Sequence, residues 1–182
     1  DAYQYTSKIG TKEEVNKCDI AFICVPTPLG EDGRLDVSII TDILSWVETS
    51  LIVIRSTVNP GDCDKWNLYY AKKKNIIFQP EYLGETPSHP LLDTTKTNFL
   101  ILGVDKEDTN KLIELYATTY NANTKIRQVS LLEAEIIKLT ENRAIAFKVM
   151  QCHELYLVCQ KAGVDYYTIR DAVYGDDPRF NL

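Results

Sequence analysis

The stretch QPEYLGE, residues 79–85, sets two carboxylates, Glu81 and Glu85, four residues apart, just past the apolar run NIIF. In open α/β sheets, ligands bind beyond the carboxyl ends of the strands, so carboxylates at such an end are candidates for chemistry. Two other strand-like runs end in comparable groups. One leads into Val25-Pro26-Thr27-Pro28, the other into Ser56-Thr57-Val58. Proline fixes its own backbone and suits a pre-shaped ligand edge. Each segment alone reads as an ordinary turn; hydroxyls, prolines and carboxylates at three successive strand ends are harder to dismiss. Further on, Lys138 and Asn142 stand four apart in AEIIKLTENRA, with Ala134 and Ala146 above and below them. That spacing puts both on one helix face. A cation and an amide flanked by small residues could donate hydrogen bonds to an oxygen gaining negative charge. A solvated lysine beside an interior asparagine fits the spacing as well. Glu135 and Glu141 each read as a member of an ordinary i, i+3 pairing on an exposed face.

These residues need elements to hold them. CDIAFICV (18–25) and LIVIRST (51–57) are apolar, β-branched runs that suit strands covered on both faces. NIIF, NFLILGV and TKIRQV supply three more strands. Between them lie helical patterns: a short one opened by a Thr11–Glu14 capping box, VSIITDILSWVE with Asp36 as its N-cap, CDKWNLYYAKKK after the Pro60-Gly61-Asp62 break, and DKEDTNKLIELYATTY. Repeated β-α units with short links predict a doubly wound, mostly parallel, Rossmann-like α/β sheet over residues 1–128. The pattern changes at 129–182. Ser130 and Glu133 form a second capping box, and helical periodicity runs on to Ala162, before Gly163. Such a helix has about 33 residues and is about 50 Å long. Helices of this length link domains or form dimer seams. DYYTIRDAVYG adds another helix.

The chain has 182 residues, 45% of them apolar and 25% charged, with a formal net charge of −6. No basic patch of the kind nucleic-acid binding requires stands out. The one basic run, Lys72–Lys74, ends a helical pattern, where the macrodipole favours cations and a solvated terminus is expected. No apolar run approaches the ~18 residues of a membrane span. The five cysteines, Cys18, Cys24, Cys63, Cys152 and Cys159, show no C-x-x-C pair. They read as free thiols of a cytoplasmic protein. Cys24 is expected inside the sheet, and no metal site is expected.

FICVPTP, IRSTVNPG, PEYLGE, AEIIKLTEN and DDPR, in this order and spacing, resemble the UDP-glucose/GDP-mannose dehydrogenases, the nucleotide-sugar 6-dehydrogenases. The resemblance runs from about Asp19 to Arg179. It implies a Rossmann domain followed by a long central helix that starts an α-helical dimerisation domain. It also implies NAD-dependent oxidation of the C6 alcohol of a UDP- or GDP-sugar to a uronic acid. By position, Val25, Pro26 and Thr27 would edge the adenosine side of NAD, and Ser56 and Thr57 its nicotinamide half. Glu81 would order a water with Thr57 for general-base work. Tyr82 and Leu83 would meet the sugar through their backbone, and Glu85 would sit between sugar and cofactor. Lys138 and Asn142 would stabilise the alkoxide-like oxygen. Arg179 would reach the substrate of a partner subunit, which implies a homodimer through the long helix.

The family's G-x-G-x-x-G turn and its nucleophilic cysteine are expected before Asp1 and after Arg179, since no spacing of the eight glycines gives that motif. The chain therefore reads as part of a longer enzyme and is expected to be inactive alone. The alternatives are a 6-phosphogluconate or β-hydroxyacid dehydrogenase, which also sets Lys and Asn i, i+4 on a long helix, and a non-catalytic relative that only binds nucleotide sugars.

Overall fold

The computed structural model describes residues 10–70, 73–84, 91–93, 96–104 and 109–175. Five strands form one sheet in chain order: β1 Ile20–Ile23, β2 Leu51–Ile54, β3 Asn75–Phe78, β4 Phe99–Gly103 and β5 Lys125–Val129. β1, β2 and β3 are parallel, as are β4 and β5. β4 runs antiparallel to β3, with Phe78 opposite Gly103. The sheet is thus mostly parallel, as the alternating pattern predicts, with one reversal that the pattern does not reveal.

Helices cover both faces. On one, Ile40, Ile43 and Leu44 of α2 (Ser38–Trp46), Cys63 of α3 (Asp62–Tyr70), and Leu131 and Ala134 of α5 (Leu131–Ala162) pack with Ile23, Ile52, Ile54, Ile76, Phe78 and Ile101. On the other, Leu112 and Tyr116 of α4 (Asn110–Thr119) pack with Leu51, Val53, Ile77, Leu100 and Leu102. β2 is buried along its whole length. A fully buried Val, Leu or Ile side chain contributes about 1.5–3 kcal/mol over an exposed one, so this strand anchors both layers.

The ladders are shorter than the apolar runs. Beyond Ile23 and Ile54 the chain leaves the sheet, because Pro26 and Pro28 have no N–H to give a ladder and the N–H of Val25 goes to a side chain, Ser56 Oγ at 2.7 Å. Strand ends thereby become loops.

The capping boxes form as expected. Thr11 and Glu14 cap the short α1, Lys12–Val15. Ser130 and Glu133 exchange bonds at the start of α5. Asp36 acts one residue earlier than expected: α2 is capped by Val37 with no side-chain bond, while Asp36 Oδ1 accepts from Ser38 N at 2.9 Å. Lys74 is not the solvated terminus its run suggested. Its Nζ donates to the Leu44 carbonyl oxygen and lies 4.3 Å from the Tyr70 ring centroid. Burial lowers its pKa.

The chain divides into two compact units, Asp1–Lys138 and Leu139–Leu182. The second holds most of α5. That helix ends at Gly163, whose φ of 71° is in the left-handed region, with Val164 N donating to Cys159 O at 3.1 Å. α6, Tyr166–Arg170, follows, capped by Asp165, and a π-helical turn, Asp171–Gly175, comes after it. Cys159 is buried and Tyr156 meets Tyr166 edge-on, but Ile145, Phe147, Val149 and Met150 are each more than half exposed.

Candidate active site

The parallel strands β1–β3 bring their three loops to one edge, and polar contacts tie those loops together. Besides the Val25–Ser56 bond, Thr27 Oγ1 donates to the Thr57 carbonyl at 2.7 Å. Asn59, buried in the loop after β2, accepts from Leu35 N and donates to Leu35 O, at 2.9 and 3.0 Å, and also donates to Asp62 Oδ2. This amide adds to the Val25–Ser56 and Thr27–Thr57 bonds in holding the loop after β1 against the loop after β2. It was not singled out from sequence, where an Asn before Pro reads as a turn residue.

After β3, Glu81 forms an ion pair with Arg55 and accepts from Tyr82 N and Leu83 N at 2.8 and 2.9 Å. Arg55 was also missed; its position immediately before Ser56-Thr57 was the available signal. With the Tyr82 and Leu83 N–H groups engaged by Glu81, backbone contacts from these residues to a ligand would use their carbonyls or need Glu81 to turn away. On the α4 face of the same strand end, Tyr116 OH donates to buried Gln79. Burial first, then neighbouring Tyr120, raises the pKa of this phenol. Cys24 is exposed at the end of β1 rather than inside the sheet, because the strand stops at Ile23. Desolvation of its thiol raises the pKa, with Arg55 opposing and Glu81 adding to the rise.

Lys138 reaches this edge from α5. It is only 9% exposed, its Nζ donates to the Glu81 carbonyl oxygen, and it lies 4.6 Å from the Tyr82 ring centroid. Its ammonium is therefore held by a carbonyl dipole and a ring face. Three turns of the site are thus brought together: Val25–Thr27, Ser56–Thr57 and Glu81–Leu83, with Lys138 against the third. Asn142 lies one helical turn beyond Lys138, is exposed, and belongs to the second unit. Glu85 and Arg179 lie outside the described residues.

Glu135 corrects the expectation of an exposed face. It is fully buried and accepts from Gly61 N and from Cys63 N, the latter at 2.9 Å. Burial raises its pKa, opposed by those two N–H bonds and by the Cys63 thiol. Cys63, also buried, has its own thiol pKa pushed well up by desolvation and by Glu135. Glu141 is half-buried, with Oε2 lacking a hydrogen-bond partner among the described residues.

Residues 2–120 match the NAD binding domain of the UDP-glucose/GDP-mannose dehydrogenase family, and residues 132–181 match its central domain. The chain belongs to the UDP-glucose/GDP-mannose dehydrogenase family. It is 28% identical to the UDP-glucose 6-dehydrogenase of Rickettsia prowazekii over 88% of this chain and 38% of that protein. It is 28% identical to the UDP-N-acetyl-D-mannosamine dehydrogenase of Methanococcus vannielii over 97% of this chain and 42% of that protein. A GDP-mannose dehydrogenase from Pseudomonas aeruginosa, solved as a ternary complex, superposes with a TM-score of 0.76 at 28% identity, covering 91% of this chain and 41% of that one. The chain thus spans about two-fifths of the length of these dehydrogenases. NAD is the cofactor that the family assigns to the domain matched by residues 2–120. Among the described residues, no helix is long and apolar enough to cross a membrane.

Proposed function

We propose that the intact protein is an NAD-dependent nucleotide-sugar 6-dehydrogenase that oxidises the C6 alcohol of a UDP- or GDP-sugar to a uronic acid. The observation that carries this reading is Lys138: a lysine within a helix, almost wholly buried, with its ammonium at the strand-end carbonyl of Glu81. Burying an ammonium is costly unless it has work or partners at that spot. Here it stands where an oxygen that becomes negative during alcohol oxidation would gain a donor.

The strand-end residues fit NAD. Val25, Pro26 and Thr27 form an edge stiffened by prolines and bonded to the loop after β2, beside the hydroxyls of Ser56 and Thr57. NAD, when bound, takes up the hydride. The remaining roles belong to the chain's own groups. Lys138, with Asn142 one turn on, donates to the alcohol oxygen. Thr57 and Glu81 order a water as a general base, which needs Glu81 to leave Arg55. Tyr82 and Leu83 hold the sugar, Glu85 lies between sugar and cofactor, and Arg179 reaches a partner's substrate. Residues 1–128 form the NAD-binding part, and 129–182 begin a dimerisation domain through α5. The protein works in the cytoplasm as a homodimer.

The test is incubation of the intact protein with NAD and a panel of UDP- and GDP-sugars, following NADH absorbance and uronic acid. The expected result is two NADH per uronic acid with one sugar preferred. No NADH with any sugar of the panel overturns the reading.

A further inference from the structure

We propose that Glu135 is a positioning residue for Lys138, fixing the rotation and register of α5 so that the ammonium meets the carboxyl end of β3. This rests on the dehydrogenase reading of the site. Three residues in the first two turns of α5 each meet a different part of the sheet layer. Ala134 packs on Gly103 of β4, where an added Cβ would come within 2.7 Å of the Ala134 Cβ. Glu135 accepts from the N–H groups of Gly61 and Cys63, which lie 74 and 72 residues away in the chain at the start of α3. Lys138, three residues after Glu135, donates to Glu81 O. At about 100° per residue, positions 134, 135 and 138 fall within an arc of about 100°. The helix cannot turn about its axis or slide by one residue without losing all three.

Of the two contacts besides that of Lys138 itself, only that of Glu135 is both charged and directional. Its carboxylate accepts two N–H groups of a helix start, where first-turn donors lack intrahelical partners and the dipole favours an anion. A contact between apolar surfaces tolerates small slips; two charge-assisted bonds to fixed backbone N–H groups do not. The segment that supplies those donors also carries Ser56 and Thr57 four to seven residues earlier, and it turns at Gly61, whose φ is 86° and whose N–H donates to the carboxylate. Glu135 therefore ties Lys138 to the same loop that lines the cofactor side.

The experiment is a double-mutant cycle on the intact protein, with Glu135→Gln, Lys138→Ala and the pair. Glutamine keeps the shape but turns an NH2 group toward a backbone N–H. The expected result is a fall in kcat for Glu135→Gln on the order of 100-fold, the cost of misplacing a reacting group by about 1 Å, with KM for the sugar within about twofold. The double variant should be no slower than Lys138→Ala alone, because Glu135 acts through Lys138. Multiplicative losses overturn the proposal, as does an unchanged kcat in a folded Glu135→Gln. If Glu135→Gln does not fold, Glu135→Asp, which keeps the charge but draws it back by one methylene, takes its place in the cycle with the same expectations. Failure of both variants to fold also overturns it, since Glu135 then holds the fold itself. A Lys138→Ala variant with wild-type turnover counts instead against the dehydrogenase reading of the site.

Discussion

The first two turns of α5 and the turns beyond them are one continuous helix in opposite surroundings. In the first, Glu135 is fully buried and Lys138 nearly so; in the second, Phe147 is 55% and Met150 64% exposed. Charges are inside where apolar groups would be expected, and large apolar groups are outside where charges would be. The lesson is that burial on this helix follows what each stretch must meet. The early turns meet polar loop ends, the Gly61–Cys63 turn and Glu81, where the proposed reacting centre lies. The later turns present exposed apolar area, which the proposed homodimer would cover.

The comparison can be tested at its strongest point first. Lys138→Ala in the intact protein should lower turnover by roughly 100-fold or more, the scale of removing one donor to a developing oxyanion. A loss under about threefold would reduce the early turns to packing alone. Next, Phe147→Asp/Met150→Asp should raise the dimer dissociation constant on the order of 100-fold or more, the effect of losing two interface anchors. Sedimentation at micromolar concentration should then show a dimer for the wild type and a monomer for the variant. If both sediment alike, the later turns are covered by something else. The smallest effect separates two carboxylates within the early turns. Glu133 has its pKa lowered by bonds from Ser130, while burial raises that of Glu135. The stability that Glu133 contributes is present above the ordinary glutamate value and is lost as pH falls through its lowered one. The contribution of Glu135 has the opposite sign: it is present below the ordinary value and is lost as pH rises through its raised one. Carboxyl 13C titration by NMR should place the two on either side of an ordinary glutamate, and coincident midpoints would remove the distinction.

The parts of this fold that rest on neighbours in sequence were legible. Apolar runs located β1 to β4, β5 was expected near TKIRQV as the strand that closes the repeat, and the Thr11–Glu14 and Ser130–Glu133 boxes and Gly163 located helix ends, because each signal lies within a few residues. The reversal of β4 was not legible, since strand direction depends on a connection rather than on a local pattern. At the site, the strand-end motifs and Lys138 stood out by type and spacing. Glu135 did not, because its partners lie more than seventy residues away and nothing near it marks them. The exposure of Cys24 was missed for a related reason: an apolar run does not show where its ladder stops, and here the stop is set by the bond from Val25 N to Ser56.

Gly103 carries a consequence for inherited variation. Every substitution at either of the first two bases of a glycine codon replaces glycine with something larger or ends the chain. At this position the smallest replacement already drives a methyl carbon into Ala134 and within 3.1 Å of the Leu131 backbone. A strand residue with no chemistry of its own thereby limits which alleles leave the proposed site lysine in place. An allele altered there would be read from its genotype as a benign core variant and from its phenotype as an active-site one.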